Sequence, residues 1–279
     1  MANTLLKSEV ITQMVNEKMK GKEKLMALAG DLGNLPNGVQ AGDTFTMVKF
    51  KHLGEMVDLE KGDTIPTEDI VSTKSSEVIE HKAKGVKLFD IERETTIGGK
   101  SVLDMKIEDL ASIRVRAIEK SLGDKLVKAP LKYAVGSADA LLAVEINTAL
   151  QTAFGDSQDT DEFAGIVVNS KVATNFYSMD EFVKSDYTHT QNGNGIVSGG
   201  IIGTFRGIPV LMSDVTTYVG GECVTYIIKK NAIGYKTVAG EVEVSRNASQ
   251  KATEVFDDIL FVTGITDDTG VVVLRKTIV

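Results

Sequence analysis

Apolar residues recur at helical spacing in four stretches of the chain, 5–30, 100–130, 137–154 and 170–185. The clearest pattern is that of 100–130, where apolar positions fall three, four and seven residues apart. Its start carries a capping signature, Ser101 followed three residues later by Asp104, and Pro130 marks its end. We therefore expect one long helix here, and a following helix that Ser137 caps.

Shorter apolar runs between turn signals predict strands at 42–50, 86–95, 164–169, 224–230, 240–246, 255–265 and 271–279. The stretch 198–214 contains four glycines, but it lacks the lysine of a phosphate-binding P-loop and continues as a strand instead of a helix. We predict a hairpin of 201–205 with 208–213, turning at Arg206 and Gly207. Helices and strands together indicate the α+β class.

Two segments have too few apolar residues to fold alone. The N-terminal stretch is separated from the rest by Gly30, Gly33, Pro36 and Gly38, and the long hairpin at 42–80 is mostly polar. The N-terminal arm could pack on its own domain or on a neighbour's, and the hairpin needs another surface to lie on; we expect neighbouring subunits to supply cover for both. The predicted inter-subunit contacts are Leu6, Val10, Met14 and Met19 in the arm, and Met56, Val57, Leu59 and Ile65 in the hairpin.

Composition narrows the class of protein. The 279 residues are 42% hydrophobic and 25% charged, a balance that allows a substantial core. The net charge of −8 argues against a protein that binds nucleic acid tightly through its phosphates. No apolar run reaches the roughly 20 residues that span a bilayer, and the first twenty residues interleave lysine and glutamate, unlike a secretory signal. The single cysteine, Cys223, excludes an internal disulfide and indicates a reducing cytoplasm.

Candidate chemistry is sparse. The three histidines, at 52, 81 and 189, lie in different predicted elements and lack metal-ligand spacing. The acidic loop 156–162 lacks the glycine and terminal glutamate of a calcium loop. Asp257 and Asp258 would point to opposite faces of a strand, and nothing near Cys223 would activate its thiol. We predict no catalytic, metal or cofactor site; an enzyme of unknown type is one alternative.

The order of arm, polar hairpin, long helix and α/β domain resembles the major capsid proteins of tailed bacteriophages, which have the Hong Kong 97-type fold. The stretch 59–92 looks like the extended loop of that family and the strand leading out of it. The stretches 165–177, 199–214 and 225–235 together look like its apical domain. The resemblance covers most of the chain from about residue 40 onward.

The resemblance implies four regions. These are an N-terminal arm (1–41), an extended loop (42–97), a peripheral domain with a spine helix (98–135 and 239–266) and an apical domain (136–238 and 267–279). It also implies a function, that of a non-enzymatic coat protein. Its pentamers and hexamers would form an icosahedral shell around the double-stranded DNA of a phage, without sequence-specific binding and without a membrane. Such a shell would be assembled in the cytoplasm of the bacterial host and belong to the virion.

Some members of that family begin with a cleavable scaffolding segment. Because this sequence begins with the arm itself, we expect a separate scaffolding protein, and a portal, as assembly partners. The alternative is an encapsulin-like nanocompartment, which shares the fold and a similar chain length but stores enzyme cargo.

Overall fold

The computed structural model describes residues 8–19, 22–36, 38–50, 58–59, 64–65, 67, 72–93, 96–97, 100–183, 200–238 and 242–278. Within them the helices are α1 (Ser8–Met19), α2 (Leu25–Leu28), α3 (Asp90–Arg93), α4 (Val102–Leu126), α5 (Ala143–Phe154), α6 (Ser170–Phe176) and α7 (Asp180–Val183), with a 3-10 turn at Thr160–Glu162.

The long helix is confirmed. Helix α4 has 25 residues, and the Ser101 hydroxyl accepts a hydrogen bond from the Asp104 N–H at 3.1 Å. The prediction that Ser137 caps the next helix is wrong. Helix α5 begins at Ala143, and the Glu145 carboxylate accepts hydrogen bonds from the N–H groups of Leu142 and Gly136 instead.

Two other predicted helices are interrupted. The stretch 5–30 contains α1 and the short α2, and the stretch 170–185 contains α6 and α7 with a turn at 177–179. In each case the apolar periodicity continues across a break in the backbone. Periodicity alone does not reveal such a break, because it reports the buried face and not the hydrogen bonds.

The strands form two main sheets. The first contains β1 (Gly30–Asn34), β14 (Ile233–Thr237), β16 (Ala252–Ile265), β15 (Glu243–Asn247) and β4 (Glu80–Phe89). The second has the order β7 (Leu131–Ala134), β17 (Val271–Arg275), β13 (Thr225–Lys229), β8 (Phe163–Val168), β10 (Ile208–Met212) and β9 (Ile201–Phe205). Three separate pairs are β2 (Thr44–Phe50) with β3 (Ser72–Val78), β5 (Thr96–Ile97) with β6 (Lys100–Ser101), and β11 (Tyr218–Val219) with β12 (Glu222–Cys223).

The second sheet is buried on both faces. Along β13, Tyr226 and Ile228 belong to the core that contains α4, while Ile227 between them belongs to the core beneath α5 and α6. Successive side chains of a strand point to opposite faces, so a strand between two cores is apolar at every position. Helix α4 thus packs against both sheets. The domain boundaries given above stay a prediction.

The N-terminal segment packs on its own chain. Helix α1 lies against α4, and the buried side chains are Ile11, Val15 and Met19. Of the arm residues that were predicted to contact a neighbouring subunit, Met19 lies on this face, Val10 and Met14 are half-buried, and Leu6 lies outside the described residues. The charge of Arg114 on α4 is balanced by Asp257, and the guanidinium also donates to the Asn16 side chain at 3.3 Å.

Candidate assembly interface

The base of the β2–β3 hairpin is anchored in its own subunit. The strands pair from Thr44 opposite Val78 to Phe50 opposite Ser72. At the base, Met47 is buried in a small apolar cluster with Leu35, Ile79 and Val262. A Cβ atom on Gly264 of β16 would lie 2.6 Å from the Met47 sulfur, so only glycine allows this close approach.

Polar contacts also fix the base to the spine helix α4. Lys125 forms an ion pair with Glu77 on β3. The Ser121 hydroxyl lies 2.5 Å from a Glu80 carboxylate oxygen and 2.7 Å from the Thr263 hydroxyl. Burial alone would raise the pKa of Glu80, but the hydrogen bonds from Lys82 and Ser121 outweigh it and lower that pKa. The hairpin therefore leaves the subunit from a rigid base.

The described tip residues are exposed. Leu59 retains 47% of its accessible surface and Ile65 retains 71%. Met56 and Val57, the other predicted contacts, lie outside the described residues. An anchored base with an exposed apolar tip is the geometry expected of a hairpin that is covered by another molecule. Contact of this tip with a neighbouring subunit stays a prediction.

The arm residues are placed differently. Met19 is buried by its own chain, and Met14 packs against the same core. The packing of Met19 and Met14 is therefore provided by their own subunit and requires no neighbouring chain. Helix α1 turns the face that carries Ile11, Val15 and Met19 toward α4. Val10 is half-buried. A contact of the arm with another subunit stays a prediction.

The glycine-rich stretch forms the predicted hairpin. Strands β9 and β10 pair antiparallel, and the turn is formed by Arg206 (φ 50°) and Gly207 (φ 84°). Positive φ at both central residues is the hairpin turn that matches the twist of the flanking strands. A Cβ atom on Gly207 would also lie 3.0 Å from the Thr160 methyl group. Gly207 therefore serves the backbone turn and its packing.

The groups that resemble chemical sites are structural. Burial, together with the neighbouring Asp139, raises the pKa of Cys223 to about 11, so its thiol stays protonated at neutral pH. Asp257 is buried beside Arg114, whereas the adjacent Asp258 lies on the opposite face, 3.2 Å from His81. Among the described residues, no group of three His, Cys, Asp or Glu side chains could hold a metal ion, and no helix is long and apolar enough to cross a membrane.

Neither a family model nor a curated protein matches the sequence. Solved structures do match. The capsid of a native GTA particle aligns with a TM-score of 0.63 at 14% identity, covering 93% of this chain and 91% of that one. The mature capsid of bacteriophage PhiM1 aligns with a TM-score of 0.58 at 10% identity, covering 91% and 86%. A virus-like particle from Pyrococcus furiosus aligns with a TM-score of 0.60 at 12% identity, covering 96% and 98%.

The chain has the Hong Kong 97-type capsid fold. This confirms the α+β class and the architecture expected from the sequence. In the capsid fold, large apolar side chains left on the surface are candidates for contacts between subunits. Four of these in the described chain are more than 60% exposed: Ile91 (88%), Ile65 (71%), Val144 (71%) and Leu142 (62%). Of them, only Ile65 was among the contacts expected from the sequence. The exposure of Val144 could have been predicted from the sequence, because Val144 lies outside the buried stripe of α5 that contains Ile146 and Leu150.

Proposed function

We propose that the chain is a major capsid protein, which assembles into a closed icosahedral shell around the double-stranded DNA of a tailed phage. The observation that carries this proposal is the hairpin: its base is held by Met47, Glu77 and Glu80 in the subunit, while Leu59 and Ile65 near its tip are exposed. The likeness to solved capsids over most of the chain supports it.

Many modest contacts suffice for such a shell. Each engaged contact holds the others of the same subunit at high effective concentration, so the assembly is stable even when every single contact is weak. Closed symmetry, with pentamers and hexamers, ends the growth of the particle.

The charges suit a container for DNA. On β4, two lysines of the basic stretch 81–87 pair with acids of their own subunit: Lys82 with Glu80 at 2.8 Å and Lys87 with Glu254 at 2.9 Å. The charges of these lysines are therefore neutralised within the subunit. A chain of net charge −8 would enclose DNA without binding its phosphates tightly. We propose no enzymatic activity for the chain. We also propose that it belongs to the virion after assembly in the host cytoplasm, with a scaffolding protein and a portal as assembly partners.

A second function has one observation in its favour. The virus-like particle from Pyrococcus furiosus covers this chain almost end to end, so a nanocompartment that stores enzyme cargo is the alternative. The two functions differ in the contents of the particle and not in its wall.

The test is to purify the protein from the cells that produce it and to image it by negative-stain electron microscopy. We expect regular closed particles. After treatment with nuclease, DNA of uniform length extracted from the particles would support the capsid, and a co-purifying enzyme without DNA would support the nanocompartment. A monomer that forms no particles under any condition of salt or concentration would contradict both.

A further inference from the structure

An isoleucine is held outward at the junction of β4 and α4. Ile91 lies in the short helix α3 and keeps 88% of its surface exposed, more than any other large apolar side chain of the described residues. A single exposed apolar residue is ordinary in a mobile loop. Here, however, the residues on both sides of Ile91 are fixed.

Two ion pairs hold the turn that carries Ile91. The Arg246 guanidinium donates to both carboxylate oxygens of Asp90, each at 2.6 Å. On the other side of Ile91, the Lys106 ammonium lies 2.6 Å from the Glu92 carboxylate and donates to the Lys87 carbonyl at 2.8 Å. A bidentate arginine pair adds geometric specificity as well as attraction. The backbone of Asp90 is also bound, because its N–H donates to the Lys251 carbonyl at 2.9 Å.

Two more apolar side chains are partly exposed on the elements that contact α3, which are β4 and α4. Phe89 at the end of β4 is 41% exposed and Met105 on the first turn of α4 is 38% exposed. Three ion pairs lie in this corner: Asp90 with Arg246, Glu92 with Lys106, and Glu254 with Lys87. Because the whole chain carries a net charge of −8, two copies repel each other less where acidic groups are paired with bases of the same subunit.

We propose that Ile91 is an anchor residue that inserts into a second copy of this chain when the shell forms, with Phe89 and Met105 around it. This inference rests on the proposed shell and adds a contact that neither the arm nor the hairpin supplies. A pre-ordered apolar side chain loses little conformational entropy on binding, which favours such an anchor over a flexible one. The paired charges around it form the rim.

The test uses shells that contain only this chain, either assembled from the purified protein or isolated from the cells that produce it, so that only copies of this chain can cover the anchor. In the Ile91→Cys variant, a maleimide reagent should label the introduced thiol rapidly in the unassembled fraction. In shells the labelling should be at least about tenfold slower, because the reagent reaches a buried site only through local opening. Native Cys223, buried and weakly acidic, reports any unfolding during the reaction.

A second variant, Ile91→Ser, should fold with an unchanged melting temperature and should need a higher protein concentration for half-assembly. Equal labelling of Ile91→Cys in shells and in the unassembled fraction, or wild-type assembly by Ile91→Ser, would overturn the anchor and leave the proposed function intact. If the wild-type chain forms no shells, either alone or in the cells that produce it, the proposed function fails, and the anchor fails with it.

Discussion

Gly123 and Thr216 meet where the spine helix crosses the connection after β10. A Cβ atom placed on Gly123 would lie 1.5 Å from the Thr216 hydroxyl oxygen, far inside van der Waals contact. Thr216 itself has φ 60°, an uncommon conformation for a β-branched residue, and its carbonyl accepts a hydrogen bond from the Tyr226 hydroxyl at 2.8 Å. The absence of a side chain at Gly123 therefore lets α4 approach the second sheet.

We expect Gly123→Ala to destabilise the protein, although alanine is the better residue in an isolated helix by roughly 0.5–1 kcal/mol. Either the helix or the Thr216 loop must move, and overpacking of this kind typically costs about 1–3 kcal/mol. Urea unfolding of the unassembled chain measures this loss. The double variant Gly123→Ala/Thr216→Gly should recover most of it, because glycine removes the clashing hydroxyl and tolerates positive φ. If Gly123→Ala is stabilising, the close contact is absent in solution.

In the sequence, Gly123 is only a residue of low helix propensity within the predicted helix 100–130. Capping residues and periodicity placed α4 correctly because those signals are local, Ser101 and Asp104 being three residues apart. The contact between Gly123 and Thr216 joins residues that are distant in sequence, so no local pattern reports it. The same reason explains why the sequence does not report the burial of Ile11 and Val15 against α4 or the exposure of Ile91.

The turn at Gly207 gives a second prediction. Both Gly207 (φ 84°) and Gly221 (φ 85°) adopt the left-handed conformation, but only Gly207 has a neighbour, Thr160, within 4 Å of a built Cβ atom. Gly221→Ala should therefore destabilise the protein through backbone strain alone. Gly207→Ala should destabilise it further, because the added Cβ atom also crowds Thr160. Strain at such a position is of order 1–3 kcal/mol. The melting temperatures of the two variants measure this difference in stability. If both variants lower the melting temperature equally, the contact with Thr160 does not contribute to stability.

Two adjacent residues of α1 should behave differently. Ile11 is completely buried against the spine helix, whereas Val10 is half-buried. Ile11→Ala should destabilise the unassembled chain by about 2–5 kcal/mol, since it leaves a cavity. Val10→Ala should have a much smaller effect on unfolding and should instead raise the concentration required for assembly, if the arm also contacts a neighbour. If Val10→Ala assembles at the same concentration as the wild type, the arm contacts only its own subunit.

The buried carboxylate of Glu119 predicts a pH dependence of stability. Its Oε1 atom accepts hydrogen bonds from the N–H groups of Lys24 at 2.6 Å and Leu25 at 2.8 Å. Burial nevertheless raises the pKa of Glu119 above its ordinary value of 4.5, and these donors offset the burial only in part. With a raised pKa in the folded state, the contribution of this group is fully present below pH 4.5 and is lost as the pH rises through the folded value.

The control is Glu119→Gln, which keeps an acceptor oxygen for Lys24 and Leu25 but cannot ionise. The free energy of unfolding of the wild type minus that of the variant should fall as the pH rises above 4.5 and then become constant. Urea titrations of both proteins at several pH values measure this difference, in which other titrating groups cancel. A difference that increases with pH would mean that the folded state lowers the pKa of Glu119.

The hairpin tip tests the capsid function most directly. Leu59 and Ile65 are exposed in the single chain, and full burial of each could contribute about 1.5–3 kcal/mol to assembly. The double variant Leu59→Ser/Ile65→Ser should melt like the wild type when unassembled and should form shells only at higher concentration. Met47→Ser, a change in the buried base of the same hairpin, should instead lower the melting temperature before any assembly.

Hydrogen exchange gives an independent measurement on the unaltered protein. Amides of 53–69 should exchange rapidly in the unassembled chain and slowly in particles, because a neighbouring subunit then excludes water from the tip. Amides of β16 pair with β4, β14 and β15 in the single chain, so they should be protected in both states. If the tip amides show the same protection in both states, the hairpin is not an assembly element, and the capsid function loses the observation that carries it.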